Sequence, residues 1–288
     1  MRYFSRFTIA LVMVLTCAPA LAGFKFSIPG LGGGGDKGLD VGGLIKDGAT
    51  LMTDVSEEEE IRIGQNLSAF LLGAKPLVAD ARIQRYVNTL GRWLAMQTER
   101  PNLPWVFAVL DDSGYNAFAT PGGHIFVTQG LLSRMHNEAE LAGVLAHEIG
   151  HVLKKHHLHA IKQQAVASGA SKLVSSKTGN GLVASIFLDQ AKKLYKSGLS
   201  VDDEYEADQV GIVIAARAGY DAYGLPAVLQ LLQAQSAKDD SFSLNFATHP
   251  SPSNRLDRLG KLMQTRFDTL PASTGRSFDV RLTEFGKK

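Results

Sequence analysis

The chain has 288 residues, 45% hydrophobic and 20% charged, an ordinary globular composition long enough to bury one large core or two small ones. A disordered tail, a collagen-like repeat and a disulfide-stapled miniprotein are excluded. The formal charge is +2, but without Arg2 and Arg6, which fall in a segment read below as removed, 28 Lys+Arg face 28 Asp+Glu, which argues against a nucleic-acid partner recognised through bulk charge.

Arg2 and Arg6, an apolar run from Thr8 to Thr16, and Ala20-Leu21-Ala22 as a small-x-small cleavage site are the three parts of a secretory signal. The run is shorter than the roughly 18 to 20 residues that span a bilayer. Residues 1–22 therefore read as a signal peptide, with cleavage after Ala22 leaving an exported chain without a transmembrane helix. Cys17 is the only cysteine and supplies the alternative, a lipoprotein anchor, although Thr16 is larger than the residue usual before a lipidated cysteine. With Ala22 cleavage a thiol nucleophile or thiolate metal site is excluded. Residues 23–53 read as a flexible leader, with nine glycines between Gly30 and Gly48. A phosphate-binding loop would need a preceding strand and a following fingerprint that this stretch lacks.

From Asp54 the pattern turns helical. Ser56 with Glu59 is a capping box and Glu57 to Glu60 suit a helix dipole, predicting a helix to about Leu72 whose acids form a solvated start. Ile83, Val87, Leu90 and Leu94 recur at helical spacing and predict a helix over Ala79 to Gln97. Trp105 to Leu110 and His124 to Thr128 are short β-rich runs, bounded by Asp111-Asp112-Ser113-Gly114 and Pro121-Gly122-Gly123, and read as two strands. Asn137 with Glu140 starts a helix predicted to run unbroken from Glu138 to about Gln164. A further helix is predicted from about Leu182 to Lys196, with Lys192, Lys193 and Lys196 on its wet face. Asp202 or Asp203 is expected to cap a helix through Ala218, ended by Gly219; another covers Leu225 to Ala237, and Ser253 is expected to cap the last, to about Gln264. Helices around a short strand pair give an α+β fold in one domain, residues 54–267, followed by a polar tail, 268–288.

The predicted central helix contains His147-Glu148-Ile149-Gly150-His151. Positions four apart lie about 40° apart around a helix and one turn apart along it, so His147 and His151 can grip one ion. Zinc on neutral imidazoles lowers the pKa of its water to about 7, and Glu148 alongside can take the proton as a carbonyl is attacked. A third ligand is needed. His157 has the metzincin spacing, but that pattern places a helix-breaking glycine where Lys154 stands. On an unbroken helix His157 points about 240° away, and His156, His157 and His159 are expected as exposed histidines near a helix C-terminus. Downstream, Glu204 and Asp208 are four apart, so one carboxylate can bind the ion while the other accepts a hydrogen bond from a ligand histidine. Glu206 faces elsewhere and reads as helix-start charge.

Asn116-Ala117-Phe118-Ala119 with Pro121-Gly122-Gly123, His147-Glu148-x-x-His151, Glu204-x-x-x-Asp208, and His249-Pro250 followed by Arg255 resemble the gluzincin metallopeptidases. The likeness is to the family of the prenyl-protein endopeptidases, the HtpX-type membrane proteases and the BepA- and LoiP-like periplasmic proteases. It runs from about Val55 to Leu262, without the spanning helices of the membrane branches, and so favours the periplasmic branch. The resemblance implies a mostly helical zincin-type domain with a small sheet beside the active-site helix, and one zinc ion per chain on His147, His151 and Glu204. It implies Glu148 as general base, Asp208 orienting a ligand, and Asn116 with the strand His124 to Thr128 along a cleft where an extended substrate pairs with the strand edge. His249 would face the zinc and support the oxyanion, and Arg255 would steady His249 or the substrate.

His249 admits a second role. On a loop stiffened by Pro250 and Pro252 it can take the fourth zinc position and hold the protease latent. The implied activity is zinc-dependent endoproteolysis of unfolded or misassembled cell-envelope proteins, in the periplasm or associated with the outer membrane, whose assembly components are candidate partners. The alternatives are a client-holding chaperone with a structural zinc, against which an intact Glu148 argues, and a zinc hydrolase of another amide.

Overall fold

The structure, a computed structural model, describes residues 55–167, 198–236, 249, 251–270 and 273. Ser56 starts α1 (Glu57–Ala74), its hydroxyl accepting from the Glu59 N–H at 3.2 Å, the cap its sequence predicts. Glu60 departs from the expected solvated acidic start. It is buried, takes Arg100 Nη1 and Nη2 at 3.0 and 3.1 Å, and accepts from the Gly122 N–H at 3.3 Å. That clamp ties α1 to the turn at Pro121.

α2 (Ala81–Ala95) turns Val87, Leu90 and Leu94 inward, as its spacing predicts. Three strands follow: β1 (Val106–Leu110), β2 (Ala117–Thr120) and β3 (His124–Thr128), in spatial order β1-β3-β2. β1 runs parallel to β3 with Val106 opposite His124, and β2 runs antiparallel to it with Ala117 opposite Val127. β2 was not among the expected strands, because four residues are too few to show alternation. It forms because Gly122 and Gly123, at φ 76° and 101°, turn the chain back onto β3. β3 therefore has both edges paired, which corrects the expectation that it borders the cleft as a free edge; among the described residues β2 has that position.

After the short α3 (Gln129–Leu132) comes α4 (Glu138–Leu153), with the Glu140 N–H donating to Asn137 Oδ1 at 3.0 Å. Every residue from Glu138 to Val152 is buried, the mark of a helix inside the core. The predicted unbroken run to Gln164 does not occur. α4 stops at Leu153, Lys155 takes the left-handed region at φ 56°, and the chain restarts as α5 (His156–Ala167). Lys155 Nζ lies 3.4 Å from Glu60 on α1, so a partner far back along the chain helps to hold the break.

α6 (Val201–Arg217) is capped by Ser200, whose hydroxyl accepts from the Asp203 N–H at 3.2 Å. Asp202 and Asp203 sit in its first turn rather than at the cap. α7 (Gly224–Ser236) precedes α8 (Pro252–Met263), which begins at Ser251 with Pro252 in its first turn, not at Ser253; proline suits that position because its N–H would be unpaired anyway. The predicted signal and leader, the helix over 182–196 and nearly all of the tail lie outside the described residues. The α+β class, mostly helical with a small sheet beside the central helix, is borne out.

The main core lies among α2, the sheet and α4, around Phe107, Ile125, Leu141, Leu145 and Ile149. α6 crosses α4 at glycines. A Cβ on Gly211 would stand 2.9 Å from the His147 backbone, and one on Gly150 3.1 Å from the Ala207 carbonyl. Among the described residues no helix is long and apolar enough to cross a membrane.

Candidate metal centre

His147 and His151 leave one face of α4 with their Nε2 atoms 3.0 Å apart. The glycine crossing brings in Glu204 from α6, its Oε2 3.5 Å from His147 Nε2 and its Oε1 3.4 Å from His151 Nε2. His249 places Nδ1 at 2.8 and 2.9 Å from the two Glu204 oxygens, and its Nε2 lies 3.4 Å from the Ala117 carbonyl of β2. One donor atom from each of His147, His151, Glu204 and His249 falls within 4.8 Å of the others. Three imidazoles and a carboxylate converging in a buried site are a donor set that can hold a metal ion.

The ring nitrogens facing away from the cluster are also engaged. His147 Nδ1 is 3.0 Å from Asp208 Oδ1. Arg255, buried, donates Nε to Asp208 Oδ2 at 2.8 Å and Nη2 to Oδ1 at 2.5 Å, while its Nη1 stands 3.3 Å from Glu204 Oε2. Its partners among the described residues are thus the two carboxylates and, 3.3 Å from Nη2, His147 Nδ1, rather than His249, one of the two partners expected for it. His151 Nδ1 meets His156 Nδ1 at 2.9 Å, and His156 Nε2 meets Glu206 Oε2 at 3.2 Å. His156 and His157 are 3% and 7% exposed, which overturns their reading as exposed residues. The break at Lys155 turns α5 back toward α4, so both rings pack on His151. His159 is exposed, and Glu206 is more than helix-start charge.

Burial opposes the charge on Glu204, but His249 and His151 beside it hold its pKa well below the usual carboxylate range. Asp208, also opposed by burial, is pulled to about 2 by Arg255. Burial and Arg255 act to lower His147, yet Asp208 and Glu204 prevail and raise it to about 9. Burial pushes His151 well below its ordinary value, and His157 to about 3. His249 is raised, Glu204 outweighing burial.

Glu148 is pushed up by burial, reinforced by Glu204 and opposed by His249 and His147. Among the described residues its Oε2 has no hydrogen-bond partner, and neither does the buried Oδ1 of Asn116. Both residues line one pocket with His147, His249 and Arg255, and its far wall is apolar: Leu131, Val144, Leu225, Val228, Leu229 and Leu232. The wall from α7 was missed in the sequence, although Leu225, Val228, Leu229 and Leu232 recur at helical spacing. Buried acceptors without donors are costly, and two of them border a cleft beside the donor cluster.

Residues 81–263 match the family described as Peptidase family M48. The chain belongs to peptidase family M48. Among M48 relatives, the beta-barrel assembly-enhancing protease of Yersinia pestis is 32% identical over 224 residues, 73% of this chain and 44% of the relative. The protein of that name from Escherichia coli K12 is 27% identical over 256 residues, 86% and 49% respectively. The mitochondrial metalloendopeptidase OMA1 of Arabidopsis thaliana is 26% identical over 238 residues, 81% and 44%. The chain spans about half the length of these M48 relatives. The gluzincin resemblance drawn from the motifs, with its BepA-like branch, is thereby borne out.

Proposed function

We propose that this protein is a zinc-dependent endopeptidase that cuts unfolded or misassembled proteins of the cell envelope, exported by residues 1–22 and carrying its peptidase domain in residues 54–267. The observation that carries the reading is the unpartnered carboxylate oxygen of Glu148, buried beside the convergent donors of His147, His151 and Glu204. Those three residues would hold one zinc ion, which supplies Lewis acidity to water and to a substrate carbonyl. Glu148, raised by burial, is suited to accept a proton from the attacking water and return it to the leaving amine. Asp208 fixes the His147 ring and Arg255 fixes Asp208.

The unpartnered Oδ1 of Asn116 supports its reading as an acceptor for a substrate N–H, and an extended peptide can add to the β2 edge. The apolar wall suits an apolar side chain, a feature of unfolded rather than folded proteins. Envelope clients, with outer-membrane assembly components among them, are suggested by the sequence-read signal and by the name of the bacterial relatives.

His249 reaches the same point as the three ligands, which supports its reading as a fourth donor that closes the resting site. His249→Ala is expected to raise basal cleavage; a fall assigns it to oxyanion support, and no change removes both roles.

The test pairs zinc content with cleavage of unfolded casein by the purified protein and its Glu148→Gln variant. About one zinc in each, with cleavage only by the parent and lost by about a hundredfold or more in the variant, is expected. Equal cleavage by both would overturn the assignment of Glu148.

A further inference from the structure

His151 Nδ1 and His156 Nδ1 stand 2.9 Å apart. Two imidazole nitrogens bond only when one carries the hydrogen and the other a lone pair. His151 Nε2 points at the metal cluster, 3.4 Å from Glu204 Oε1. A neutral imidazole that ligates through Nε2 carries its hydrogen on Nδ1, so His151 must donate and His156 Nδ1 must accept. The His156 hydrogen then resides on Nε2, which faces Glu206 Oε2 at 3.2 Å, with Asp203 Oδ1 farther off at 3.6 Å. Lys154 Nζ holds Glu206 at 2.7 Å.

We infer that His156 and Glu206 are positioning residues for the metal site, a hydrogen-bond relay from a surface carboxylate through a buried neutral imidazole that locks His151 in the ligating tautomer. The inference rests on the proposed reading of His151 as a metal ligand. The relay depends on the helix break: on a continuous α4 the ring of His156 would leave the face that carries His151. It also accounts for a histidine only 3% exposed that neither touches the cleft nor belongs to the donor cluster. Partners of this kind typically change metal affinity by about 10- to 100-fold when removed.

The experiment measures the zinc dissociation constant of the full-length protein by competition with a chromogenic chelator. His156→Phe keeps the ring bulk without an acceptor and is expected to weaken zinc binding about 10- to 100-fold. His156→Asn, whose Oδ1 can replace the lost acceptor, is expected to recover all but a few-fold. Glu206→Ala, at a side chain 48% exposed, leaves folding undisturbed and is expected to cost a few-fold, because water can take its place. Ring nitrogen–proton correlations of the zinc-loaded protein should show His156 protonated at Nε2 and bare at Nδ1. Parent-like zinc affinity in His156→Phe, equal loss in the Phe and Asn variants, or the opposite tautomer overturns the relay. A protein that binds zinc and cuts no casein either as the parent or with His249→Ala, with the variant series behaving as expected, supports the relay while overturning the peptidase reading. A parent that binds no zinc overturns both.

Discussion

The two histidines of α4 are backed by different kinds of support. Behind His147 stands Asp208, 1% exposed and gripped by Arg255, a fully buried ion pair. Behind His151 stands the imidazole of His156, whose own partner Glu206 sits at the surface with Lys154, the two side chains 48% and 40% exposed. A buried charge that loses its partner has nothing to replace it, whereas a surface carboxylate is exchanged for water at small cost. On the proposed reading of the site, the His147 side therefore serves folding as much as chemistry, and the His151 side serves ligand orientation with little weight in stability.

Arg255→Met breaks this contrast most severely. It takes the fixed cation from Asp208 and Glu204, leaving them only histidine partners among the described residues, and should cost about 3–5 kcal/mol, read from urea unfolding; adding Asp208→Asn should restore part of it. Gly211→Val attacks the crossing that both supports share, since its Cβ would fall 2.9 Å from the His147 backbone. An expected loss of about 1–3 kcal/mol should come with weakened zinc binding, measured together on one preparation. Lys155→Gly acts in the other direction. Relief of a left-handed lysine is worth about 1–2 kcal/mol, less the part-exposed contact to Glu60, so thermal unfolding should move up slightly; a fall would mean that the Glu60 contact outweighs the backbone strain. Lys154→Ala should change stability by less than about 1 kcal/mol. A larger loss would erase the distinction between the two sides.

The parts of this site legible in the sequence are those that repeat along one helix. His147 and His151, and Glu204 and Asp208, are four apart, and helical geometry alone puts each pair on one face. Asn137 and Ser56 were likewise readable as caps, because the bond they make is local. What escaped depends on partners far along the chain. Lys154 and Lys155 are ordinary helix formers, and the features that accompany the stop, the contact to Glu60 and the packing of α5 on His151, come from partners outside the local sequence. With the break hidden, His156 and His157 were set on the wrong face. At α6, Ser200, Asp202 and Asp203 can all cap, so local chemistry left the start undecided by a few residues. β2 was visible as a family motif but not as a strand, since a four-residue segment acquires that identity from the turn and neighbour beside it.

The crossing of α6 over α4 has a thermodynamic consequence of its own. At Gly150 and Gly211 the two helices meet main chain to main chain, so the separation of the backbones that carry Glu204 and the two histidines is set by main-chain contact rather than by interchangeable side chains. Such a seam has no side chains to order when an ion arrives, and the conformational entropy of forming the site is spent during folding. Calorimetry of zinc uptake should then show a heat-capacity change near zero, the signature of a receptacle finished before its guest enters.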